Sequence, residues 1–177
     1  PREVLAAGLD ACFADWTQEN FFMLLAQEFG DPTRLHSFAS QSNRTFSMVN
    51  GPQLIAHIAP GNLSVPVFQS IAFGLLLRSA QFVKCASGKS LLPRLFGHSL
   101  HSVEPGLAAS IEIAEWKGGN ESLESALFAE ADCVAASGSD ESLISIRQRL
   151  PLAKRLVGYG HRVSFGYVEK LANEVMG

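Results

Sequence analysis

The segment FVKCASGKS, residues 82–90, ends in the Gly-Lys-Ser triplet that closes a phosphate-binding P-loop. In a P-loop another glycine stands five positions before the glycine of that triplet, and the backbone between the two glycines encloses phosphates. Here that position is Val83, a β-branched residue that does not adopt the positive φ open to glycine. The pattern argues against a nucleotide triphosphatase, so Lys84 and Lys89 of this segment need another explanation.

Two further segments carry residue types that suit the binding of an anion or of a carbonyl oxygen. Pro60-Gly61-Asn62 follows the apolar run LIAHIA, and Gly138-Ser139 follows the run DCVAAS. An asparagine amide can donate to an oxyanion, and a Gly-Ser pair that opens a helix leaves N–H groups free for an anion. Each segment also has an ordinary structural interpretation, because Pro-Gly-Asn is a common turn and serine is a common helix cap.

The other side chains that could act as nucleophiles or metal ligands form no pattern. The three cysteines lie far apart without Cys-x-x-Cys spacing, so neither a metal site nor a disulfide is predicted. The cysteines are interpreted as small core residues, and most histidines as structural or surface residues because they lack a Ser or Cys partner at a recognisable spacing. The residues concerned are Cys12, Cys85, Cys133, His57, His98, His101 and His161.

Strand and helix patterns alternate from residue 54 onward. Short apolar runs that suit buried strands stand at 54–59, 81–87, 110–116 and 132–137, and residues 154–160 with 162–168 supply a fifth strand or a strand pair. Helical periodicity occupies the segments 65–80, 91–103, 121–130 and 140–150. Because such alternation requires parallel strands joined by crossovers, a doubly wound, mainly parallel α/β domain is predicted for residues 51–177.

The first fifty residues have a different character. Helical patterns at 2–16 and 19–30 precede a polar segment at 37–53 that lacks regular signals, so a helical N-terminal arm is predicted for residues 1–50. In doubly wound sheets, ligands bind at the carboxyl ends of the strands, where helix N-termini present free N–H groups. All three candidate segments stand at such strand ends, although the dinucleotide fingerprint Gly-x-Gly-x-x-Gly does not occur in the chain.

Composition restricts the class of protein. The chain has 177 residues, of which 47% are hydrophobic and 18% charged, so it can bury a sizeable core. A formal net charge of −3 without a basic run gives no electrostatic case for nucleic acid. The longest apolar stretch, residues 65–77, is too short for a membrane span, and no export signal opens the chain. A cytoplasmic location is expected.

The order of the segments resembles the cofactor-binding domain of the aldehyde dehydrogenase superfamily. In HIAPGNLSVPVFQSIAFGLLLRSAQFVKCASGKSLLPRLF a strand ends in Pro-x-Asn, a helix follows, and the next strand ends in a lysine. The segments WKGGNESLESALFAEADCVAASGSDESL and LVGYGHRVSFGYV are similar to the LuxC-type acyl-CoA reductases, the fatty-acid reductases that make long-chain aldehyde for bacterial luminescence, and to their relatives. The resemblance extends from about Val4 to Val168 and implies a Rossmann-like NADP(H)-binding domain.

The resemblance implies cofactor contacts at the end of the second strand. Lys84 would donate to the adenosine ribose hydroxyls of a nicotinamide cofactor. Many NAD-preferring relatives carry a glutamate three residues after this lysine, where this chain has Ser87. A serine does not repel a 2′-phosphate and Lys89 adds a nearby cation, so NADP(H) is implied. Each lysine also has a structural interpretation. Lys84 could simply extend its ammonium to solvent from a strand end, and Lys89 could be a solvated loop charge.

Two further roles follow from the resemblance. Asn62 matches the family asparagine whose amide helps to form an oxyanion hole for the thioester or thiohemiacetal oxygen. Gly138 and Ser139 match the Gly-Ser pair that opens the helix facing the cofactor pyrophosphate.

Two departures from the superfamily pattern concern the reaction. Hydrolytic aldehyde dehydrogenases carry a water-activating glutamate near position 158, where this chain has Val157-Gly158-Tyr159-Gly160. An acyl-thioester would then survive hydrolysis and accept hydride or exchange with coenzyme A. The family nucleophile is a cysteine in a separate, downstream catalytic domain. That domain is expected outside these 177 residues, so the chain would be a fragment that is inactive alone.

The implied function is NADPH-dependent reduction of fatty acyl-CoA or an acyl-carrier thioester to a long-chain aldehyde through an acyl-cysteine. One alternative is an enzyme like γ-glutamyl-phosphate reductase that acts on an acyl phosphate. Another is a non-catalytic binding module of the same fold, and a third is a P-loop kinase or ATPase, which Val83 argues against. Acyl-transferring partner proteins and a homo-oligomeric parent protein are compatible with the resemblance.

Overall fold

The computed structural model describes residues 2–40, 45–61, 65–161 and 165–166. Seven α-helices lie in these parts of the chain: α1 (Arg2–Phe13), α2 (Gln18–Phe29), α3 (Val65–Leu76), α4 (Leu91–Val103), α5 (Pro105–Ala108), α6 (Glu121–Glu130) and α7 (Asp140–Arg149). A 3-10 helix covers Pro32–Leu35. The strands are β1 (Ala39–Ser40), β2 (Phe46–Ser47), β3 (Leu54–Ile58), β4 (Ala80–Cys85), β5 (Ile111–Glu115), β6 (Cys133–Ser137) and β7 (Arg155–Tyr159).

Five strands form one parallel sheet in the order β5-β4-β3-β6-β7. The chain begins the sheet at its centre with β3, adds β4 and β5 on one side, and then returns to add β6 and β7 on the other. The strand order therefore reverses between β3 and β6, where Ile58 pairs with Ala136. This is the order of a doubly wound nucleotide-binding sheet, and its reversal is the point where such sheets bind ligands. The predicted fold class is confirmed.

Helices cover the sheet on two faces because successive strand side chains point in opposite directions. On the first face, Val83 and Cys85 pack with Val67 and Ile71 of α3 and with Phe96 of α4. On the second face the core is formed by strand residues and by residues of α6 and α7, which are Ala56, Leu127, Phe128, Ala131, Val134, Ala136, Ile146 and Leu150. The burial of both faces explains why the strand segments are nearly continuous apolar runs.

The N-terminal helices pack on the first face of the sheet domain. Phe13 at the end of α1 has its ring centroid 5.7 Å from that of Phe68 on α3 and 6.2 Å from that of Phe96 on α4. Trp16 lies 4.8 Å from Phe13 in an edge-on arrangement. The Thr17 side chain accepts from the backbone N–H of Asn20 at 3.2 Å, so it caps α2 as its residue type predicts.

Several element boundaries differ from the sequence-based expectation. The polar segment after the arm contains a short antiparallel pair, in which Ala39 lies opposite Ser47. Helix α1 ends at Phe13 and helix α3 at Leu76, three and four residues before the predicted ends. Strand β7 corresponds to the predicted segment 154–160, whereas most of the predicted segment 162–168 lies outside the described residues. No helix in the parts of the chain that the structure describes is long and apolar enough to cross a bilayer.

Candidate functional site

A cleft of about 1200 Å³ lies at the carboxyl ends of the strands, where the sheet order reverses. Its edge is formed by Pro60 and Gly61 after β3, by Ala86 after β4 and by Gly138 after β6. From this edge it extends onto both faces of the sheet, between α6 and α7 on one and along α3 on the other. In a parallel sheet the carboxyl ends of these strands lie at the same edge, as the sequence predicts.

Lys84 lines this cleft from the end of β4 and is only 5% exposed. It alternates with Val83 and Cys85, so its side chain lies on the same face as α6 and α7. Its ammonium lies 5.9 Å from the centre of the Trp116 ring, and no hydrogen bond or salt bridge joins it to any residue that the structure describes. The ammonium therefore keeps its capacity to donate to an acceptor in the cleft.

The turn between β4 and α4 carries the other two residues that the resemblance assigned to the cofactor. Ser87 and Lys89 are both exposed, and they do not belong to the lining of the cleft, which reaches this turn only at Ala86. Gly88 has a φ of +72°, and the backbone N–H of Lys89 donates to the carbonyl of Ala86 at 2.9 Å. Because β4 continues to Cys85, too few residues remain before Lys89 to wrap a phosphate as a P-loop does.

Glu115 at the end of β5 interacts with this turn and was not singled out from the sequence. The hydroxyl of Ser90 and the backbone N–H groups of Gly88 and Ser90 lower the pKa of the Glu115 carboxyl below its usual value. Those backbone donors are therefore already engaged by a carboxylate. The side chains of Ser87 and Lys89 do not take part in these contacts with Glu115.

Gly138 and Ser139 both line the cleft at the start of α7. The Ser139 hydroxyl accepts from the backbone N–H of Ser142 at 3.4 Å, which is a capping contact at the long end of the range. Ser139 also lowers the pKa of the Glu141 carboxyl by hydrogen bonding to it. The structure thus shows the capping interpretation directly.

Asn62, the predicted oxyanion-hole residue, lies outside the described residues. Pro60 and Gly61, which precede it, line the cleft.

His57 forms a buried polar cluster that the sequence spacing did not indicate. Its Nδ1 lies 2.7 Å from the Ser70 hydroxyl, and its Nε2 lies 2.8 Å from Oε1 of Gln81. The serine partner was not recognisable from the sequence, because β3 and α3 bring together residues that are 13 positions apart. Burial lowers the pKa of His57 from 6.5 to about 4, so the ring is neutral at neutral pH.

The cysteines in the sheet are core residues, as predicted. Cys85 is fully buried and Cys133 is 6% exposed, and burial raises the pKa of both thiols. Neither lines the cleft. Among the described residues, no group of three or more His, Cys, Asp or Glu side chains is arranged to hold a metal ion.

The sequence analysis did not identify the charged pair that lines the cleft. Glu124 on α6 and Arg149 on α7 form a salt bridge between the two helices. Their separation in sequence, 25 positions for the salt bridge, leaves no local pattern to detect. The one available signal was the position of Glu124 and Arg149 on the faces of their helices, which could have indicated that the two side chains are in contact.

The five-stranded parallel sheet and its cleft define the class of this protein as a doubly wound, Rossmann-like α/β domain. A family model described as acyl-CoA reductase (LuxC) matches residues 2–175, and the chain belongs to this family. The predicted resemblance to the LuxC-type reductases is thereby confirmed, and the family indicates an oxidoreductase that acts on acyl-CoA with a nicotinamide cofactor. The comparison with curated proteins gives no significant match.

Proposed function

We propose that this chain binds NADPH for the reduction of a fatty acyl thioester to the long-chain aldehyde, in the cytoplasm. The substrate is acyl-CoA or an acyl-carrier thioester. A cysteine of a catalytic part outside these 177 residues attacks the thioester carbonyl and releases the first thiol. The bond between that cysteine and the acyl carbon then breaks as the carbon is reduced to an aldehyde, and the thiolate is regenerated. A nicotinamide cofactor, when bound, supplies the hydride for this reduction.

The observation that carries the proposal is the ammonium of Lys84. Lys84 as a residue is only 5% exposed, and its ammonium lies in a cleft at the reversal of a doubly wound sheet, with an aromatic ring on one side and no hydrogen-bonding or ionic partner among the described residues. A ribose with two hydroxyls would supply the missing acceptors. A glycine at the start of α7 leaves room for the adjoining phosphates, because Gly138 lines the same cleft.

The preference for NADPH rests on the turn after β4. Ser87 stands where a glutamate would repel a 2′-phosphate, and Lys89 adds a positive charge two residues later. Both side chains are exposed beside the cleft, so the charge-assisted contact is worth about 1 kcal/mol after solvent screening.

Titration calorimetry with NADPH and NADH at one fixed salt concentration tests both parts of the proposal. We expect NADPH to bind more tightly than NADH, Lys84→Met to abolish the binding of both, and Ser87→Glu to reverse the preference. Ser102→Glu is the matched control, because Ser102 is exposed on α4 away from the cleft, and it should change neither affinity.

Two results would contradict the proposal at different levels. Unchanged affinities in Lys84→Met would show that the cleft lysine does not hold the cofactor. Equal affinities for NADH and NADPH that Ser87→Glu leaves equal would remove only the assignment of Ser87 and Lys89.

A further inference from the structure

The cleft continues from Lys84 into a slot between helices α6 and α7. Leu143 and Ile146 line the slot from α7, and both pack against the apolar core of this face. Glu124 lines the same slot from the first turn of α6, and Arg149 lines it from the last turn of α7. A slot with apolar walls and one charged pair has the character of a site for a flat heterocycle with a polar edge.

The carboxylate of Glu124 is held in place by two described partners. Arg149 donates from Nη1 to Oε2, and the backbone N–H of Gly119 donates to Oε1 at 3.2 Å. The guanidinium itself is fixed, because its Nε donates to the carbonyl of Ser145 at 3.2 Å and its carbon lies 5.6 Å from the centre of the Phe128 ring. Glu124 is 5% exposed, so its position is defined by packing as well as by hydrogen bonds.

This carboxylate keeps the capacity to accept further hydrogen bonds. An ionised carboxylate offers about four acceptor sites, and the described partners of Glu124 occupy two. A buried acceptor without a donor is unfavourable, so a ligand in the slot that presents an N–H group gains affinity. A ligand that presents a carbonyl oxygen at the same place is rejected by repulsion between the two acceptors.

The location of Lys84 connects the slot to the cofactor, and this step rests on the function proposed above. Lys84 and the gap between α6 and α7 lie on the same face of the sheet. The adenine base is bonded directly to the ribose. If Lys84 holds the ribose, the base therefore lies in the adjoining slot between α6 and α7.

We propose that Glu124, held by Arg149, determines the specificity of the cleft for adenine by accepting a hydrogen bond from the exocyclic amine of the base. Hypoxanthine is the informative comparison because it differs from adenine chiefly by a carbonyl oxygen in place of that amine. The chain should bind a hypoxanthine dinucleotide at least tenfold more weakly than the adenine dinucleotide.

Calorimetric titration of the unmodified chain with NADP⁺ and with nicotinamide hypoxanthine dinucleotide phosphate tests this inference without a substitution. A tenfold or larger preference for NADP⁺ supports it. Equal affinities overturn it and leave the proposed function standing. If neither dinucleotide binds, the proposed function and this inference both fall.

A pair of variants assigns the discrimination to a residue. Glu124→Gln should bring the ratio of the two affinities to within about threefold of unity, since an amide can face either an amine or a carbonyl. Glu130→Gln is the matched control on the same helix, exposed and outside the cleft, and should leave the ratio unchanged. A circular dichroism spectrum and unfolding temperature for each variant confirm the fold, and a ratio that survives in folded Glu124→Gln contradicts the inference.

Discussion

His57 shows how a titratable residue can be held neutral inside a parallel sheet. It is 2% exposed, and its neighbours Ser70 and Gln81 are uncharged groups that provide one donor and one acceptor to the ring. A neutral imidazole satisfies both contacts, whereas an imidazolium would lack an acceptor at Nδ1 unless the Ser70 hydroxyl turned.

The stability of the protein should therefore fall on acidification. The folded-state pKa of His57, about 4, lies below the unfolded value of 6.5, so the unfolded chain takes up a proton first as the pH decreases. The contribution of His57 is fully present above pH 6.5 and decreases toward pH 4, by about 3 kcal/mol in total. Urea unfolding at a series of pH values measures this change.

The variant His57→Asn should flatten the pH dependence between pH 6.5 and pH 4. The control His98→Gln alters an exposed histidine on α4 and should retain the slope of the unmodified protein. If His57→Asn keeps the full slope, another group accounts for the acid sensitivity.

At the level of single residues, the sequence identified what lies at strand ends better than what lies on helices. The position of Lys84, Gly138 and Ser139 at the cleft was predictable, because strand patterns locate the carboxyl edge of a parallel sheet before its order is known. Glu124, Arg149 and Glu115 were missed, because their contacts depend on how helices and neighbouring strands are aligned.

Helix α3 illustrates how one element adapts to the sheet beneath it. Gly74 lies on its buried side, and an added Cβ at this position would come 2.6 Å from Cδ and 3.1 Å from Nε2 of the Gln81 side chain. The glycine lets α3 approach β4 closely enough for Gln81 to reach His57. The low helix propensity of glycine is tolerated here for a packing reason.

Gly74→Ala should destabilise the protein by about 1–3 kcal/mol, since the new methyl group must displace a fixed amide. Gly8→Ala is the matched control on the exposed helix α1, where an added Cβ meets no atom within 4 Å. That substitution should stabilise by roughly 0.5–1 kcal/mol through helix propensity alone. Denaturant unfolding of the two variants should give changes of opposite sign, and a stabilising Gly74→Ala would show that α3 does not need the glycine.

The elements themselves were largely predictable, and their boundaries less so. All five strands of the parallel sheet begin within two residues of the predicted positions, because their apolar runs are bounded by turn residues. The pairing of β1 with β2 was missed, since each strand has only two residues and no apolar alternation. Helix α3 ends early because its last predicted turn gives way to Arg78, whose φ is +61°.

The whole molecule joins the N-terminal helices to the sheet domain through aromatic side chains. Phe13 contacts Phe68 and Phe96, which themselves pack 5.1 Å apart on α3 and α4. No local pattern indicates this docking, since Phe13 and Phe96 are 83 positions apart. The sheet order was not predictable for the same reason, because alternation gives parallel strands but not their sequence in space.

Phe13→Ala should lower the free energy of unfolding by about 1–3 kcal/mol, because a half-buried ring and its aromatic contacts are lost. Unfolding in urea, followed by circular dichroism, measures the change. Phe22→Ala on α2 is the control, since that side chain is 54% exposed and its loss should have little effect. Equal effects of the two substitutions would mean that the N-terminal helices are not held by this cluster.

The contact between Lys84 and Trp116 also has a spectroscopic consequence. The chain has two tryptophans, one in the aromatic cluster of the N-terminal helices and the other 5.9 Å from the cleft ammonium. Indole emission depends on nearby charge, so a ligand that engages Lys84 changes the fluorescence of Trp116 and leaves that of Trp16 unaltered. A Trp16→Phe variant keeps an aromatic ring in the cluster and leaves Trp116 as the single tryptophan, so all tryptophan fluorescence then comes from the cleft. The protein thus carries its own optical probe at the site where its cofactor is proposed to bind.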